Sequence, residues 1–308
     1  MLNTFQKTLS QSINFEGIGL HSGNISKVKI LPAEENSGIV FKRIDLDNKN
    51  LIEANYKNVS SAVLCTTIKN EYGIKVSTIE HLMAAFYMAG IDNAIVEINS
   101  DEVPIMDGSA KNFLELLNKA GCRLLSKKRK YLKVIDKIEL IDGKRRISIE
   151  PCDNSLDVEF QLNYKNELIG NQKNTINFTT DDLKDVSSSR TFCLYEDIEK
   201  IKKAGLAKGG SLENALVVDQ KKVLNKDGLR NNKEFVNHKI LDLAGDFLLS
   251  GYRIVGRIRC YQGGHELTNL FLRKIFEKRS LIKVFELDDI LVTKKIKSTT
   301  STKLAVNA

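Results

Sequence analysis

Short stretches in the first half of the chain have the alternating hydrophobic and polar positions, or the brief apolar run, of half-buried strands. They are residues 26–31, 38–44 and 93–98. Between them a strongly apolar segment predicts a helix at about residues 77–88, with Gly90 at its C-terminal cap. A further helix is predicted at about residues 109–119, ending before Gly121. The first half therefore mixes strands and helices.

The second half repeats this order of elements. Strand-like stretches occur at residues 131–140, 145–150 and 156–163. A helix is predicted at about residues 233–250, followed by a strand at residues 253–260 and a helix at residues 265–277. The two halves show no residue-level repeat, so the parallel is one of architecture alone.

A length of 308 residues favours two domains. We place their boundary at the basic cluster, residues 127–130, which we interpret as a solvated linker. This gives an N-terminal domain of residues 1–126 and a C-terminal domain of residues 131–293. Residues 294–308 are rich in Lys, Ser and Thr, and we expect them to form a flexible tail.

Composition narrows the classes of protein that the chain can belong to. No stretch is apolar enough to span a bilayer and no signal peptide is recognisable, so we expect a cytoplasmic protein. The net charge of +8 suits nucleic acid, an anionic membrane or an acidic small molecule. With no Trp and only 7% aromatic residues, a base-stacking surface has little material, and nucleic acid is a minor option. Five cysteines without C-x-x-C spacing indicate reduced thiols.

The chain has only four histidines, and each lies among unusual polar or glycine residues: His21, His81, His238 and His265. The helix that follows His81 carries no charge, so this imidazole should be buried and needs a partner. A core histidine satisfied by a hydrogen bond is the ordinary interpretation. Ser77 and Glu80 match a helix capping box, and on this pattern alone capping by Glu80 is favoured over catalysis.

The helix at residues 233–250 changes that balance. His238 and Asp242 are four residues apart and project from one face, with Lys239 and Asp246 in the same arc. A solvated polar face and a metal site are about equally compatible with this arc alone. Together with His81, however, the pair supplies three nitrogen and oxygen ligands, which leaves a fourth tetrahedral position open as a catalytic zinc requires.

Two glycine-rich turns carry the remaining histidines. Residues 17–23 include His21 and could form only a flexible hairpin. Residues 262–265 start a helix, where His265 could be merely an exposed first residue. Glycine permits close approach of backbone or ligand, but neither turn is specific by itself.

Together, these segments resemble the zinc-dependent UDP-3-O-acyl-N-acetylglucosamine deacetylases of bacterial lipid A synthesis. The matching stretches run in family order over about residues 5–280: 17–23, 64–67, 77–82, 102–109, 189–192, 209–211, 225–230 and 234–242, with Gly264, His265 and Asn269. The resemblance implies an α+β fold of two similar domains. In each domain a β-sheet packs on helices, and the helical layers meet face to face in a β-α-α-β sandwich.

The resemblance also implies roles for individual residues. His81, His238 and Asp242 would hold one Zn²⁺, and the same ligands also suit Fe²⁺. Glu80 would be the general base, and this overrides the capping-box interpretation. His265 would be the general acid, oriented by Asp246. The oxyanion would be stabilised by Lys239 and Thr191.

The implied reaction is hydrolysis of the acetamide of UDP-3-O-(3-hydroxyacyl)-N-acetylglucosamine to acetate and the 2-amino sugar nucleotide. An insertion at about residues 193–215 would form a passage for the acyl chain, with Ile198, Ile201 and Leu206 as lining residues. The core of a small βαβ unit is an equally good interpretation of those three. Phe192 would contact the nucleotide. The other residues that we assign to substrate binding are His21, Leu64, Gly210 and Lys239.

We expect a monomer that binds this substrate, with no nucleic acid and no membrane span, and with peripheral membrane contact only through the substrate. Two departures from the family pattern are Gln262, where a Lys is usual, and Asn237, where a basic residue is common. Three rival hypotheses remain open: a zinc amidase for another N-acetylated substrate, a basic RNA-binding module, and an inactive homologue. Every proposed catalytic residue is present, which argues against the last.

Overall fold

The structure is a computed structural model that describes residues 3–153 and 155–287. The elements of the first half are β1 (Phe5–Leu9), β2 (Ile13–Ile18), β3 (Ile25–Pro32), β4 (Ile39–Arg43), β5 (Leu51–Glu53), β6 (Val59–Ser61), β7 (Thr67–Lys69), β8 (Lys75–Val76), α1 (Glu80–Ala89), β9 (Ala94–Ile98), α2 (Lys111–Ala120) and β10 (Cys122–Lys128). A 3-10 turn lies at Tyr56–Asn58.

The elements of the second half are β11 (Lys130–Val134), β12 (Ile138–Asp142), β13 (Arg145–Glu150), β14 (Leu156–Asn163), β15 (Asn171–Asn177), α3 (Lys184–Ser187), β16 (Phe192–Leu194), α4 (Tyr195–Lys203), β17 (Leu216–Asp219), β18 (Lys222–Val223), α5 (Glu234–Leu248), β19 (Arg253–Tyr261), α6 (His265–Glu277) and β20 (Ile282–Glu286). A 3-10 turn lies at Arg279–Leu281.

A five-stranded sheet organises the first half, in the order β2-β3-β9-β4-β5. Along β3 the buried Val28 and Ile30 alternate with the exposed Lys27 and Lys29, so one face of the sheet is apolar. The buried side chains of α1 and α2 belong to the same hydrophobic core, and the two helices pack against each other. The predicted strands and helices of this half are therefore present.

The second half is built around a larger sheet, in the order β12-β13-β19-β11-β20. Off this path, β14 pairs in parallel with the C-terminal part of the central strand β19, and β15 pairs with β14. The helix α5 packs on β14 and β15, and α6 packs on β12 and β13. The two halves thus share the plan of a sheet covered by two main helices.

The helical layers of the two halves meet where α1 packs against α5. A Cβ atom on Gly245 of α5 would lie 2.1 Å from the carbonyl oxygen of Glu80 on α1, so only glycine permits this approach. The α+β class and the order sheet, helices, helices, sheet are those predicted. The contact places the polar residues of both helices in one buried seam.

Two sequence interpretations are corrected by the strands. The basic cluster at residues 127–130 is not a fully solvated linker: Lys127 and Lys128 end β10, Lys130 begins β11, and Arg129 between them is only 5% exposed. The Arg129 guanidinium is held by the carboxylate of Asp92 at 2.7 Å. The single strand predicted at residues 131–140 is two strands, β11 and β12, which lie in different parts of the sheet.

The predicted flexible tail at residues 294–308 lies outside the described residues. Within residues 3–153 and 155–287, no helix is long and apolar enough to cross a membrane.

Candidate active site

The seam between α1 and α5 brings together side chains that are far apart in the sequence. His81 comes from the first turn of α1, and His238 and Asp242 come from successive turns of α5. One ligand atom from each of these three residues lies within 4.8 Å of the others. All three residues are buried, so the interpretation of the α5 arc as a solvated face is wrong.

The arrangement of these three residues fits a cation. Asp242 Oδ1 lies 3.5 Å from His81 Nε2 and 3.4 Å from His238 Nε2, and it has no hydrogen-bond partner. A buried carboxylate oxygen without a partner is costly, and a divalent metal held between the three atoms would remove that cost. Two imidazoles and a carboxylate are a ligand set typical of a catalytic zinc with one open position.

The protonation states also suit metal binding. The carbonyl oxygen of Ser189 lies 3.1 Å from His238 Nδ1, which fixes the proton on that nitrogen and leaves Nε2 free as a ligand. Burial lowers the pKa of His238 to about 3, so the ring is neutral. Although burial alone would raise the pKa of Asp242, His238 and Lys239 hold it well below its usual range. Lys239 Nζ donates to Asp242 Oδ2 at 2.9 Å.

The capping-box interpretation of Glu80 is wrong. α1 begins at Glu80 itself and has no side-chain cap, and the hydroxyl of Ser77 pairs with that of Thr67 instead. Glu80 Oε2 accepts a hydrogen bond from the backbone N–H of Thr66 at 3.0 Å. Burial raises the pKa of Glu80, whose side chain is almost fully buried, as is expected of a carboxylate that acts as a base.

His265 is not an exposed first residue, since its side chain is 9% exposed. Its Nδ1 lies 2.8 Å from Asp246 Oδ2, and its Nε2 lies 3.7 Å from Glu80 Oε1. Burial opposes protonation of this ring, but the carboxylates of Asp246 and Glu80 raise the pKa of His265 to about 10. The geometry is that of an imidazolium held by one carboxylate, with its second nitrogen directed at the site.

An apolar cavity of about 260 Å³ lies beside this seam, since Phe192 in its wall has its ring centre 6.4 Å from that of His238. Its walls include residues that the sequence assigned to substrate binding or to the acyl passage: His21, Leu64, Phe192, Ile198, Ile201 and Gly210. Thr191, assigned to the oxyanion, is also in its wall, whereas Leu206 is not. The cavity is lined mainly by apolar side chains, as a pocket for a hydrocarbon chain would be.

The insertion at about residues 193–215 contains a small βαβ unit and also lines the apolar cavity. Strands β16 and β17 are parallel and joined through α4, which makes a βαβ unit. However, no residue of α4 is buried, so the helix forms no core of its own. Ile198 and Ile201 therefore face the cavity.

A second, basic depression of about 410 Å³ has Lys239 in its wall, with Lys144 and Lys165. Lys239 Nζ lies 5.4 Å from the centre of the Phe192 ring. Because Phe192 lines the apolar cavity, this lysine joins the apolar and the basic parts of the site. An anionic group in the depression would face several ammonium groups.

The two departures from the family pattern have structural roles. Gln262 has a left-handed backbone (φ 55°), and its side chain accepts a hydrogen bond from Asn163 N at 2.9 Å and donates one to Asn163 O. It thus pins the loop before α6 to β14. Asn237 Oδ1 accepts a hydrogen bond from Asn174 at 2.7 Å. The side-chain hydrogen bonds of both residues go to asparagines and not to the metal-binding residues.

Sequence reasoning missed two residues that hold the site in place. The carboxylate of Glu102, 2% exposed, accepts hydrogen bonds from the backbone of His21 and Ser22 at 2.8 and 2.7 Å. The glycine-rich turn is therefore anchored and is not a flexible hairpin. Thr66 contacts both Glu80 and Asp246. Both missed residues lie in family-like stretches, but spacing alone could not pair them with residues so distant in sequence.

Comparison with known proteins agrees with this geometry. The family model for UDP-3-O-acyl N-acetylglycosamine deacetylase matches residues 6–277. A curated UDP-3-O-acyl-N-acetylglucosamine deacetylase of Geotalea uraniireducens is 44% identical over 92% of this chain and 92% of its own length. Enzymes with the same name from Shewanella frigidimarina and Idiomarina loihiensis are 41% and 38% identical, over 92% and 94% of this chain and 94% and 96% of their own lengths. The chain belongs to the UDP-3-O-acyl N-acetylglycosamine deacetylase family.

Proposed function

We propose that this protein hydrolyses the acetamide of UDP-3-O-(3-hydroxyacyl)-N-acetylglucosamine and releases acetate and the free 2-amino sugar nucleotide, a step of lipid A biosynthesis. The observation that carries the proposal is the buried triad of His81, His238 and Asp242, flanked by Glu80 and His265, with an apolar cavity reached through Phe192 beside His238. The family relationship supplies the substrate. The enzyme is a metalloenzyme, and we propose Zn²⁺ as its metal.

A divalent metal at such a site lowers the pKa of a water molecule toward about 7 and polarises a carbonyl oxygen. The residues of the chain perform the proton transfers. Glu80 Oε2 is occupied by the Thr66 N–H, so Oε1 is the atom available to accept the proton of the attacking water. The raised pKa of the buried Glu80 makes its carboxylate a stronger base than an exposed one.

Lys239 and Thr191 stabilise the negative charge that develops on the acetamide oxygen. Burial alone would lower the pKa of Lys239, but the neighbouring Asp242 raises it, so the ammonium stays charged. Thr191 lies in the wall of the apolar cavity. One donor directed at a developing oxyanion contributes about 3–4 kcal/mol to the lowering of the barrier.

His265 protonates the leaving nitrogen, because an amine leaves poorly as an anion. Its Nδ1 is held by Asp246, which leaves Nε2 as the atom that gives the proton. The Asp246 carboxylate keeps the imidazolium charged until the carbon–nitrogen bond breaks. Glu80 therefore acts as the general base toward the attacking water, and His265 acts as the general acid toward the leaving nitrogen.

The two depressions fit the two ends of the substrate. The apolar cavity receives the acyl chain, and the basic depression beside Lys239 receives the diphosphate. The test compares UDP-3-O-acyl-N-acetylglucosamine with UDP-N-acetylglucosamine, which lacks the acyl chain. We expect kcat/KM to be at least about 100-fold higher for the acylated substrate, since several buried CH₂ groups contribute about 0.8 kcal/mol each. Equal values would indicate an amidase for another N-acetylated substrate.

A further inference from the structure

We infer that Thr66 is a positioning residue that aligns the proton acceptor and the proton donor of the reaction. This inference rests on the proposed function. Thr66 lies just before β7 in the first half of the chain and is 2% exposed. Thr66 is not in the cavity wall, and its side chain and N–H bond to Glu80 and Asp246 and not to the three metal-binding side chains, so its effect must act through its neighbours.

Both polar donors of Thr66 are directed at carboxylates of the site, those of the base Glu80 and of Asp246, which orients the acid. Its backbone N–H donates to Glu80 Oε2 at 3.0 Å, and its hydroxyl donates to Asp246 Oδ1 at 2.7 Å. The second bond joins residues 180 positions apart and crosses the contact between the two halves. One residue therefore fixes the base on α1 and the partner of the acid on α5.

Each bond leaves the working oxygen of its carboxylate free. With Glu80 Oε2 occupied, Oε1 faces His265 Nε2 at 3.7 Å. With Asp246 Oδ1 occupied, Oδ2 is left to hold His265 Nδ1 at 2.8 Å. Without the Thr66 hydroxyl, Asp246 Oδ1 would have no donor and the carboxylate could rotate. The His265 imidazole would then lose its fixed orientation.

The backbone around Thr66 is held in an uncommon conformation that supports this role. Leu64, two residues before Thr66, has a left-handed backbone (φ 63°), and so does Thr78 (φ 56°), two residues before Glu80. Non-glycine residues adopt this region rarely and tend to do so near functional sites. The carbonyl oxygen of Thr66 also accepts a hydrogen bond from Ile79 N at 3.4 Å, which ties the two segments together.

The test replaces Thr66 by Val, which keeps the shape and the backbone N–H but removes the hydroxyl, and by Ser, which keeps the hydroxyl. We expect Thr66→Val to retain the metal and the wild-type KM but to lose about 10–100-fold in kcat. Thr66→Ser should stay within about threefold of wild type. The matched control is Thr67→Val, since the Thr67 hydroxyl bonds to Ser77 and to the Cys65 thiol, both in the first half, and the variant should behave as wild type.

A double-mutant cycle with Asp246→Asn shows whether the hydroxyl acts through Asp246. We expect the double variant to be no slower than the slower single variant, because both changes break one unit. An unchanged kcat in Thr66→Val, an equal loss in Thr66→Ser, or fully multiplicative losses in the cycle would overturn the inference. Turnover of the acylated substrate by the wild-type protein is measured first, so that a failure of the proposed function is recognised separately.

A second readout does not depend on turnover. The chain has four histidines, so ¹⁵N labelling of histidine alone gives few imidazole signals. We expect Thr66→Val to shift the Nδ1 signal of His265, assigned by its loss in His265→Gln, and to leave the signal of His238 in place. Thr67→Val should shift neither. A His265 signal that is identical in Thr66→Val and wild type would contradict the inference.

Discussion

The chemistry of the site depends on how each polar atom of a few buried residues is occupied. Asp242 has one oxygen bonded to Lys239 and one without a partner between two imidazoles. Glu80 lies beside these ligands, and its Oε2 accepts a hydrogen bond from the backbone N–H of Thr66. Residues that are adjacent in the sequence, Glu80 and His81, therefore have separate tasks.

Because Glu80 and the metal ligands have different tasks, substitutions of Glu80 and of Asp242 should remove different properties of the protein. We expect Glu80→Gln to bind as much metal as wild type and to lose about 10²–10⁴-fold in kcat, because it removes the proton acceptor alone. Asp242→Ala should lose the metal itself, since it removes one of three ligands. Metal analysis of the purified variants, together with their turnover, measures both. A Glu80→Gln variant with wild-type kcat would refute the assignment of the base.

The thiols give a pH-dependent prediction at the same scale. Burial raises the pKa of Cys65 to about 11 and that of Cys260 to about 12, whereas Cys122 is exposed. Only the thiolate reacts with iodoacetamide, and its fraction stays small until the pH approaches the pKa. At pH 8 we expect mass mapping to find Cys122 labelled first and the two buried thiols unlabelled until the protein is denatured. Labelling of Cys65 as fast as Cys122 would contradict this.

At the scale of elements, the site exists because α1 and α5 approach closely. Gly245 lies against the carbonyl of Glu80, and no side chain fits between them. In most helices a glycine is less favourable than alanine by about 1 kcal/mol. A glycine is necessary at position 245 because α1 and α5 approach so closely.

Gly245→Ala should therefore destabilise the protein, although the substitution favours helix formation. The added Cβ would lie 2.1 Å from a backbone oxygen, and such overpacking costs about 1–3 kcal/mol. We expect a lower midpoint of thermal unfolding and a reduced kcat, since Glu80 is displaced. Gly264→Ala is the control for stability, because a Cβ there meets nothing within 4 Å. An unchanged midpoint for Gly245→Ala would show that the helices can separate without loss.

The sequence predicted the elements better than it predicted their ends and partners. Periodicity located α5 and α6 closely, because long apolar stripes with polar arcs are specific. The start of α1 was wrong, because the Ser77 and Glu80 pattern is local and the carboxylate bonds to a distant N–H instead. Arg129 was taken as solvated because its partner, Asp92, lies on a different segment.

The prediction of the site was also limited, because partners on distant segments cannot be identified from a local pattern. The histidines and carboxylates stood out because their motifs resemble a family and their helical spacing is regular. Thr66 and Glu102 did not, since a threonine and a glutamate acting through tertiary hydrogen bonds have no local pattern. Such contacts follow from the fold, which brings together segments that the sequence separates.

At the scale of the whole molecule, two similar halves form one site at their contact. We propose that the domains divide at residues 127–130, between β10 and β11, with Arg129 part of the contact between them. Arg253 of β19 reaches across to the end of α1, where it donates to Tyr87 O at 2.6 Å and Ile91 O at 2.8 Å. It also lies 3.4 Å from Asp92, the partner of Arg129.

We expect Arg253→Met to destabilise the protein by about 3 kcal/mol, because it leaves buried carbonyl groups and part of a carboxylate without a donor. Arg259→Met, on the same strand, removes an exposed pair with Glu150 and should cost less than about 1 kcal/mol. Urea unfolding of both variants measures the difference. Equal losses would mean that the buried network does not join the two halves.

The most direct test of the central claim is to measure metal content and deacetylation of UDP-3-O-acyl-N-acetylglucosamine by the purified protein, before and after chelation. We predict about one Zn²⁺ per chain, loss of turnover when the metal is removed, and recovery when Zn²⁺ is added back. A protein that turns over the substrate equally well without metal would contradict the assignment of His81, His238 and Asp242 as the catalytic metal site. A protein that binds no metal and releases no acetate would contradict the proposed function as a whole.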